Sequence, residues 1–120
     1  MRLLVVDDSK AMRMIVIRTI RQAGFGDDTA VDQAGSAAEA LEVVKASPPD
    51  LVLSDWNMPG GSGLDLLKSL REVGSDVRFG FVTSEGSDEM RQMAMDAGAL
   101  FLITKPFTPE TFREALGAII

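Results

Sequence analysis

Cysteine and histidine are both absent from the 120-residue chain. Without cysteine there is no disulfide framework and no thiolate zinc site, and without histidine the other common transition-metal ligand is missing. A metal bound here is therefore a hard, oxygen-ligated cation. Positive charge is also scarce. Twelve Lys and Arg residues against 18 Asp and Glu give a formal net charge of -6, which opposes direct binding to a nucleic-acid backbone. No apolar run is long enough to span a bilayer, and Met1-Arg2 leads into a short apolar stretch ended by Asp7-Asp8 rather than into a signal peptide. Linkers, internal repeats and low-complexity runs are missing as well. The expectation is a single cytoplasmic domain over residues 1–120, large enough to bury a core, with no membrane insertion and no direct nucleic-acid contact.

What is present is an ordinary globular composition, 46% hydrophobic and 25% charged, laid out as alternating strand and helix patterns. Leu51-Val52-Leu53-Ser54, bounded by Pro48-Pro49 and Pro59-Gly60, reads as a short strand buried on both faces that stops on the lone carboxylate of Asp55. Leu3 to Val6 is a second such run and ends on Asp7-Asp8. Val77 to Val82 ends on Thr83, and Leu100 to Thr104 ends on Lys105-Pro106. The segment from Asp28 to Ala34 is a weaker strand, short of large apolar residues, and belongs at an edge of the sheet. Gly80, inside a strand pattern, points to close approach by a neighbour, with Phe79 and Phe81 the bulky residues at hand.

Between these runs lie five helical patterns. Ser9 caps the first, whose inward positions are Met12, Ile15, Val16, Thr19 and Ala23; Arg13, Arg18 and Arg21 form a solvated outer face, and Gly24 is the stop. Ser36-Ala37-Ala38-Glu39 is a capping box opening the second, which runs to about Lys45. Ser62 with Asp65 caps the third, after a Gly60-Gly61-Ser62-Gly63 segment that lacks the Gly-Lys-Ser/Thr ending of a nucleotide-binding loop. Ser87 opens a Met-rich fourth, in which Met90, Met93 and Met95 serve core filling or an adaptable partner surface. Thr108 and Pro109 start the last, with Phe112, Ala115, Leu116 and Ile119 on one face. Strands alternating with helices argue an α/β fold with a parallel sheet and helices on both faces. In such sheets ligands bind outside the carboxyl ends of the strands.

Asp7-Asp8, Asp55, Thr83 and Lys105 all follow apolar strands at that edge. Each alone reads as a cap or a solvated lip. Together they bring carboxylates, a hydroxyl and an ammonium group to one rim. Two carboxylates about 4 Å apart repel by roughly 4 kcal/mol at an effective dielectric near 20, so three in one cleft need compensation beyond Lys105. A mouth of carboxylate and backbone oxygens suits Mg²⁺ better than an all-protein calcium cage, and there is no twelve-residue calcium loop. Beside such a cation a carboxylate can attack phosphorus while an ammonium and a hydroxyl take the phosphoryl oxygens. Asp55, alone on the central strand, is the expected nucleophile and Asp7-Asp8 the metal-holding pair; with no histidine in the chain, the phosphoryl group comes from another molecule.

Val5-Val6-Asp7-Asp8, Ser54-Asp55-Trp56-Asn57-Met58-Pro59 followed by Gly63-Leu64, Val82-Thr83, and Lys105-Pro106-Phe107 carry a resemblance that spans the whole chain. It resembles the receiver domain of two-component response regulators, and within them the stand-alone chemotaxis regulators. The resemblance implies a flavodoxin-like, doubly wound sheet of five parallel strands in the order 2-1-3-4-5, known for this family. It implies that a partner histidine kinase phosphorylates Asp55 and that the protein is a signalling switch rather than an enzyme. By the same resemblance Mg²⁺ is held by Asp8, Asp55 and the backbone carbonyl of Asn57, with Asp7 acting through water. Lys105 pairs with the phosphoryl group, Thr83 bonds to it, and the Lys105-Pro106 bond is cis, an isomer found in only about 5–6% of X-Pro bonds. Asn57 and Glu85 match the family positions that flank the path of the hydrolytic water, which implies self-dephosphorylation.

Family members carry an aromatic residue three places before the lysine, and it rotates as the hydroxyl moves inward. Here that place is Leu102, with Phe101 one step earlier and so on the opposite face of its strand. The expectation is that Leu102 itself moves, and that the face built from the Met-rich helix, the last strand and the last helix binds the output protein, the flagellar motor switch being one such target. No output domain is expected after Ile120, so a monomer would act through binding. Trp56 is expected to line the surface beside the site. A phosphorelay intermediate, or a receiver controlling a partner outside chemotaxis, is the alternative within the family. Outside it, an aspartate-nucleophile phosphohydrolase of the haloacid-dehalogenase type is opposed by adjacent Asp7-Asp8 where that class has Asp-x-Asp. A flavodoxin-like FMN binder is opposed by an acidic pair where a Ser/Thr/Gly-rich phosphate loop belongs.

Overall fold

A computed structural model describes residues 1–26 and 29–119. Five strands, β1 (Arg2–Val6), β2 (Ala30–Ala34), β3 (Leu51–Ser54), β4 (Arg78–Thr83) and β5 (Phe101–Thr104), form one parallel sheet in the order β2-β1-β3-β4-β5. Helices α1 (Lys10–Ile20), α2 (Ala37–Ala46), α3 (Gly63–Glu72), α4 (Asp88–Asp96) and α5 (Pro109–Gly117) connect them, giving the flavodoxin-like doubly wound arrangement. The weakly apolar strand β2 lies at an edge, with Ala34 its one fully buried residue. Asp28, where this strand was expected to begin, lies outside the described residues.

The inner strands are covered on both faces, which is why their sequences run apolar without alternation. Leu4, Val6, Val52, Phe79, Phe81 and Leu102 belong to the core under α2, α3 and α4, together with Leu64, Leu67, Leu70 and Ala94. Leu3, Val5, Leu51, Leu53, Val82 and Ile103 belong to the core on the other face, with Val16, Ile17 and Ile20 of α1 and Phe112 and Leu116 of α5. Each helix begins on a hydroxyl that accepts the amide three residues on: Ser9 from Met12, Ser36 from Glu39, Ser62 from Asp65, Ser87 from Met90 and Thr108 from Thr111. The capping box expected at α2 is half formed, because Glu39 Oε2 takes the amide of Gly35 rather than that of Ser36.

Helix α1 keeps most of its expected inward face, with Ala23 also buried and Met12 packed against the core, and departs from it at Ile15. Val16, Ile17, Thr19 and Ile20 are buried, whereas Ile15 is 42% exposed and Met12 only partly covered. The run Met14-Ile15-Val16-Ile17 is apolar most of the way around the helix, so spacing leaves two inward faces open, and the sheet takes the one that buries Ile17 and Ile20. From Arg21 to Phe25 the helix widens into a π-turn, and Gly24, at φ +99°, adopts the left-handed conformation that ends it.

Gly80 is paired with Phe101 across β4 and β5, and the Phe101 ring occupies the space a Gly80 side chain would need. The close neighbour is therefore Phe101. Phe79 and Phe81 point to the opposite face, as alternation along a strand requires, and pack edge to face on each other at 5.1 Å between centroids. Among the described residues no helix is long and apolar enough to cross a membrane.

Candidate functional site

The residues just beyond β1, β3 and β5 meet at one rim. Asp7 follows β1 and is 4% exposed. Its amide donates to Ala34 O at 3.1 Å, its Oδ1 accepts from the Ser9 amide at 2.9 Å, and its carbonyl accepts from Arg13 Nη1 at 2.6 Å. Asp55 follows β3; its amide donates to Val6 O at 2.9 Å, which ties the ends of two neighbouring strands, and its Oδ1 accepts from the Trp56 amide at 2.8 Å. Lys105 follows β5 through a backbone hydrogen bond to Thr83 O at 2.8 Å and precedes a cis peptide to Pro106. Its Nζ stands 3.4 Å from Asp7 Oδ2 and 3.8 Å from Asp55 Oδ2. Asp8 is exposed beside them, and one carboxylate oxygen from each of Asp7, Asp8 and Asp55 lies within 4.8 Å of the others.

Three carboxylates thus share one ammonium. Burial raises the Asp55 carboxyl above its ordinary range; the Lys105 ammonium opposes this, Asp7 adds to it, and the amides of Trp56 and Asn57 pull it back. A site with excess negative charge and an acid resisting ionisation is relieved by a cation. The donors are all oxygen, part buried and part open to solvent, and fit a hard divalent ion that keeps some of its water, as Mg²⁺ does.

Thr83, at the end of β4, is fully buried, and its Oγ1 has no hydrogen-bond partner among the described residues. Such atoms are rare and cost about 1–3 kcal/mol. Thr83 is thus a buried donor at the carboxyl end of β4 whose hydrogen bond is still to be made. Asn57 and Glu85 are exposed in the segments that follow β3 and β4. Leu102 is buried on the α2, α3 and α4 side of the sheet, while Phe101 packs against the opposite core, as the strand period predicts.

Two expectations fail here. Trp56 does not line the surface: it is 8% exposed and lies in the core, its ring 4.7 Å from that of Phe81. The chain turns inward after Asp55, where Gly63, the first residue of α3, lies close against it. The Gly63 amide donates to Trp56 O at 2.8 Å, and a side chain on Gly63 would collide with Asp55 O, the Phe81 ring and Ser54 Oγ. Arg13 is not part of a solvated face either, being partly buried and bonded to Asp7 O and, through Nε at 3.0 Å, to Gln33 Oε1. Sequence reasoning took Gly63 only as part of the family resemblance and gave Arg13 no part in the site; the signal for Arg13 was its place one turn inside α1, at the margin of the buried face.

Residues 3–117 match the response regulator receiver domain. With that match joined to the strand order and the rim of acids and lysine, the chain belongs to the receiver domain family. Its relatives include the chemotaxis protein CheY1 of Helicobacter pylori, 40% identical over 126 residues that cover 100% of this chain and 97% of the relative. The chemotaxis protein CheY-3 of Vibrio cholerae is 38% identical over 121 residues, covering 99% of this chain and 91% of that protein. Among solved structures, the chemotaxis protein CheY4 of Vibrio cholerae matches with a TM-score of 0.86 at 31% identity, over 99% of this chain and 98% of that one.

Proposed function

We propose that this protein is a phosphorylation-activated signalling switch, in which Asp55 accepts a phosphoryl group from a histidine kinase in a Mg²⁺-dependent reaction. The observation that carries the reading is the charge imbalance at the rim, three carboxylates within 4.8 Å and a single ammonium touching two of them. The Asp55 carboxylate, 12% exposed, attacks the phosphorus of a phosphohistidine; the P–N bond breaks, and the imidazole leaves and takes a proton from solvent. Lys105 exchanges its contact with Asp55 for a phosphoryl oxygen, and the Thr83 hydroxyl donates to another. Asp8, Asp55 and the Asn57 carbonyl, with Asp7 through water, would hold Mg²⁺, which supplies neutralising charge for the phosphoryl oxygens. Asn57 and Glu85 flank the approach of the water that later cleaves the acyl phosphate, so the protein promotes its own reset while acting as a switch rather than an enzyme.

Thr83 moves toward the new group and Leu102, buried on the same side of the sheet as α4, moves with it. Driving such an equilibrium from 1:99 to 99:1 takes about 5.5 kcal/mol, and charge-assisted bonds from Lys105 and Thr83 to a dianion supply much of that. The output face is α4, β5 and α5, where Met95 and Leu100 are exposed and offer apolar surface to a protein target. Similarity to proteins named for chemotaxis supports motility control. In this reading the protein is a cytoplasmic monomer with the flagellar motor switch as its target; a phosphorelay step or another pathway is the second reading. The test is incubation with acetyl phosphate and Mg²⁺ followed by mass measurement. An acid-stable, base-labile gain that is absent from Asp55→Asn supports the reading, and no gain, or a gain that survives the substitution, overturns it.

A further inference from the structure

The three acids of the rim are not held equally. Asp7 is fixed at its carboxylate by the Ser9 amide and Lys105, and Asp55 by the Trp56 amide. The Asp8 carboxylate is exposed, and among the described residues no hydrogen bond or ion pair holds it. Its direction depends on the main chain that carries it. That main chain is gripped from outside the acidic cluster by Arg13. Nη1 of this residue donates to the Asp7 carbonyl at 2.6 Å while Nε donates to Gln33 Oε1 on β2 at 3.0 Å. The guanidinium forms no ion pair among the described residues. Its two donors therefore serve geometry, and a charged donor on a carbonyl makes a short, strong bond of the kind seen here.

We propose that Arg13 is a positioning residue for the Asp8 carboxylate. A peptide group is planar, so fixing the Asp7 carbonyl fixes the plane of the Asp7–Asp8 peptide and the Cα from which the Asp8 side chain departs. Gln33 stops the guanidinium from swinging away, and the rigid fork of arginine lets one side chain reach both acceptors. Arg13 touches neither phosphorus nor metal. It acts by sparing the site the ordering of an otherwise free ligand, so its removal falls on cation affinity more than on the chemical step.

This inference rests on the Mg²⁺-dependent reading of the site, and the experiment separates the two. Mg²⁺ is titrated against Trp56 fluorescence in the wild type, Arg13→Ala, Arg13→Lys and Gln33→Ala. The amide resonance of Asp8 is recorded by NMR in the same proteins without metal, and phosphorylation by acetyl phosphate is followed at low and at saturating Mg²⁺. Expected are a half-saturation concentration raised about tenfold in Arg13→Ala, a shifted Asp8 resonance before any metal is added, and a phosphorylation rate restored by excess Mg²⁺. Arg13→Lys, which keeps one charged donor, recovers part of the affinity, and Gln33→Ala loses part of it. A wild-type half-saturation in Arg13→Ala overturns the proposal, as does a rate deficit that excess Mg²⁺ leaves in place. Should Arg13→Ala fail to fold, Gln33→Ala decides: unchanged affinity with an unmoved Asp8 resonance overturns it. A wild type with no response to Mg²⁺ condemns the underlying reading instead.

Discussion

Replacing Thr83 by valine separates the cost of an unused hydroxyl from its value. The side chain is fully buried and Oγ1 has no partner among the described residues, so the unphosphorylated protein bears the desolvation of a hydroxyl with nothing in return. That cost is about 1–3 kcal/mol. Valine has nearly the same shape and the same preference for strands, so Thr83→Val opens no cavity and asks for no change in β4. The substitution is expected to stabilise the resting protein by about 1–2 kcal/mol, which for a domain of this size raises the thermal midpoint by roughly 4–8 °C. Beryllium fluoride with Mg²⁺, a mimic of the phosphoryl group on Asp55, should reverse the comparison. It gives the wild-type hydroxyl a charged acceptor, a bond of about 1.5–3 kcal/mol, that the variant cannot make. Thermal melts and urea titrations of both proteins, with and without the mimic, measure each arm. A variant less stable than the wild type at rest would mean that the hydroxyl is already bonded, and an equal gain from the mimic in both proteins would mean that Thr83 never reaches the group.

Three further outcomes are expected. Asp55 has its carboxyl raised above the ordinary 3.8, chiefly by burial, so between that value and the folded-state one the native protein holds a proton that the unfolded chain has lost, and stability falls as pH rises through this window. Asp55→Asn should therefore melt higher than wild type at neutral pH, with the gap closing as pH is lowered through the window; a gap independent of pH would refute the assignment. Lys105→Met leaves Asp7 and Asp55 within 4.8 Å of each other with no cation between them, a repulsion of about 3 kcal/mol at an effective dielectric near 20. Urea titrations should show up to that loss at neutral pH and its partial recovery on adding Mg²⁺, and a loss indifferent to Mg²⁺ would count against a shared cation site. Gly80→Ala drives a methyl into the Phe101 ring and should cost about 1–3 kcal/mol. The urea midpoint should largely return in the double variant with Phe101→Leu, and no recovery would locate the strain elsewhere.

The strand ends were the most legible part of the molecule. Largely apolar runs stopping at or beside Asp7, Asp55, Thr83 and Lys105 carry both the direction of the strands and the composition of the rim, because in a parallel sheet all strands finish on the same side. The weak composition of β2 likewise told its place at an edge. Three features were hidden. The inward face of α1 was ambiguous because Met14-Ile15-Val16-Ile17 is apolar on several sides, and the partner of Gly80 was sought in its own strand although Phe101 comes from the neighbouring one. The burial of Trp56 accompanies a close approach between Gly63 and the Asp55 carbonyl that no local pattern announces.

That close approach also decides which wall of the cleft can yield. Ser54 Oγ donates to Asp55 O at 2.8 Å, the Gly63 amide is bonded to Trp56 O, and the absence of a side chain on Gly63 lets α3 press directly on the backbone that carries Asp55. The loop bearing Asp55 is thereby clamped, like the stationary jaw of a vice. On the proposed function, a phosphoryl group on Asp55 would meet a fixed wall here, and the displacement would be taken up across the gap, on the β4 side, and passed outward from there.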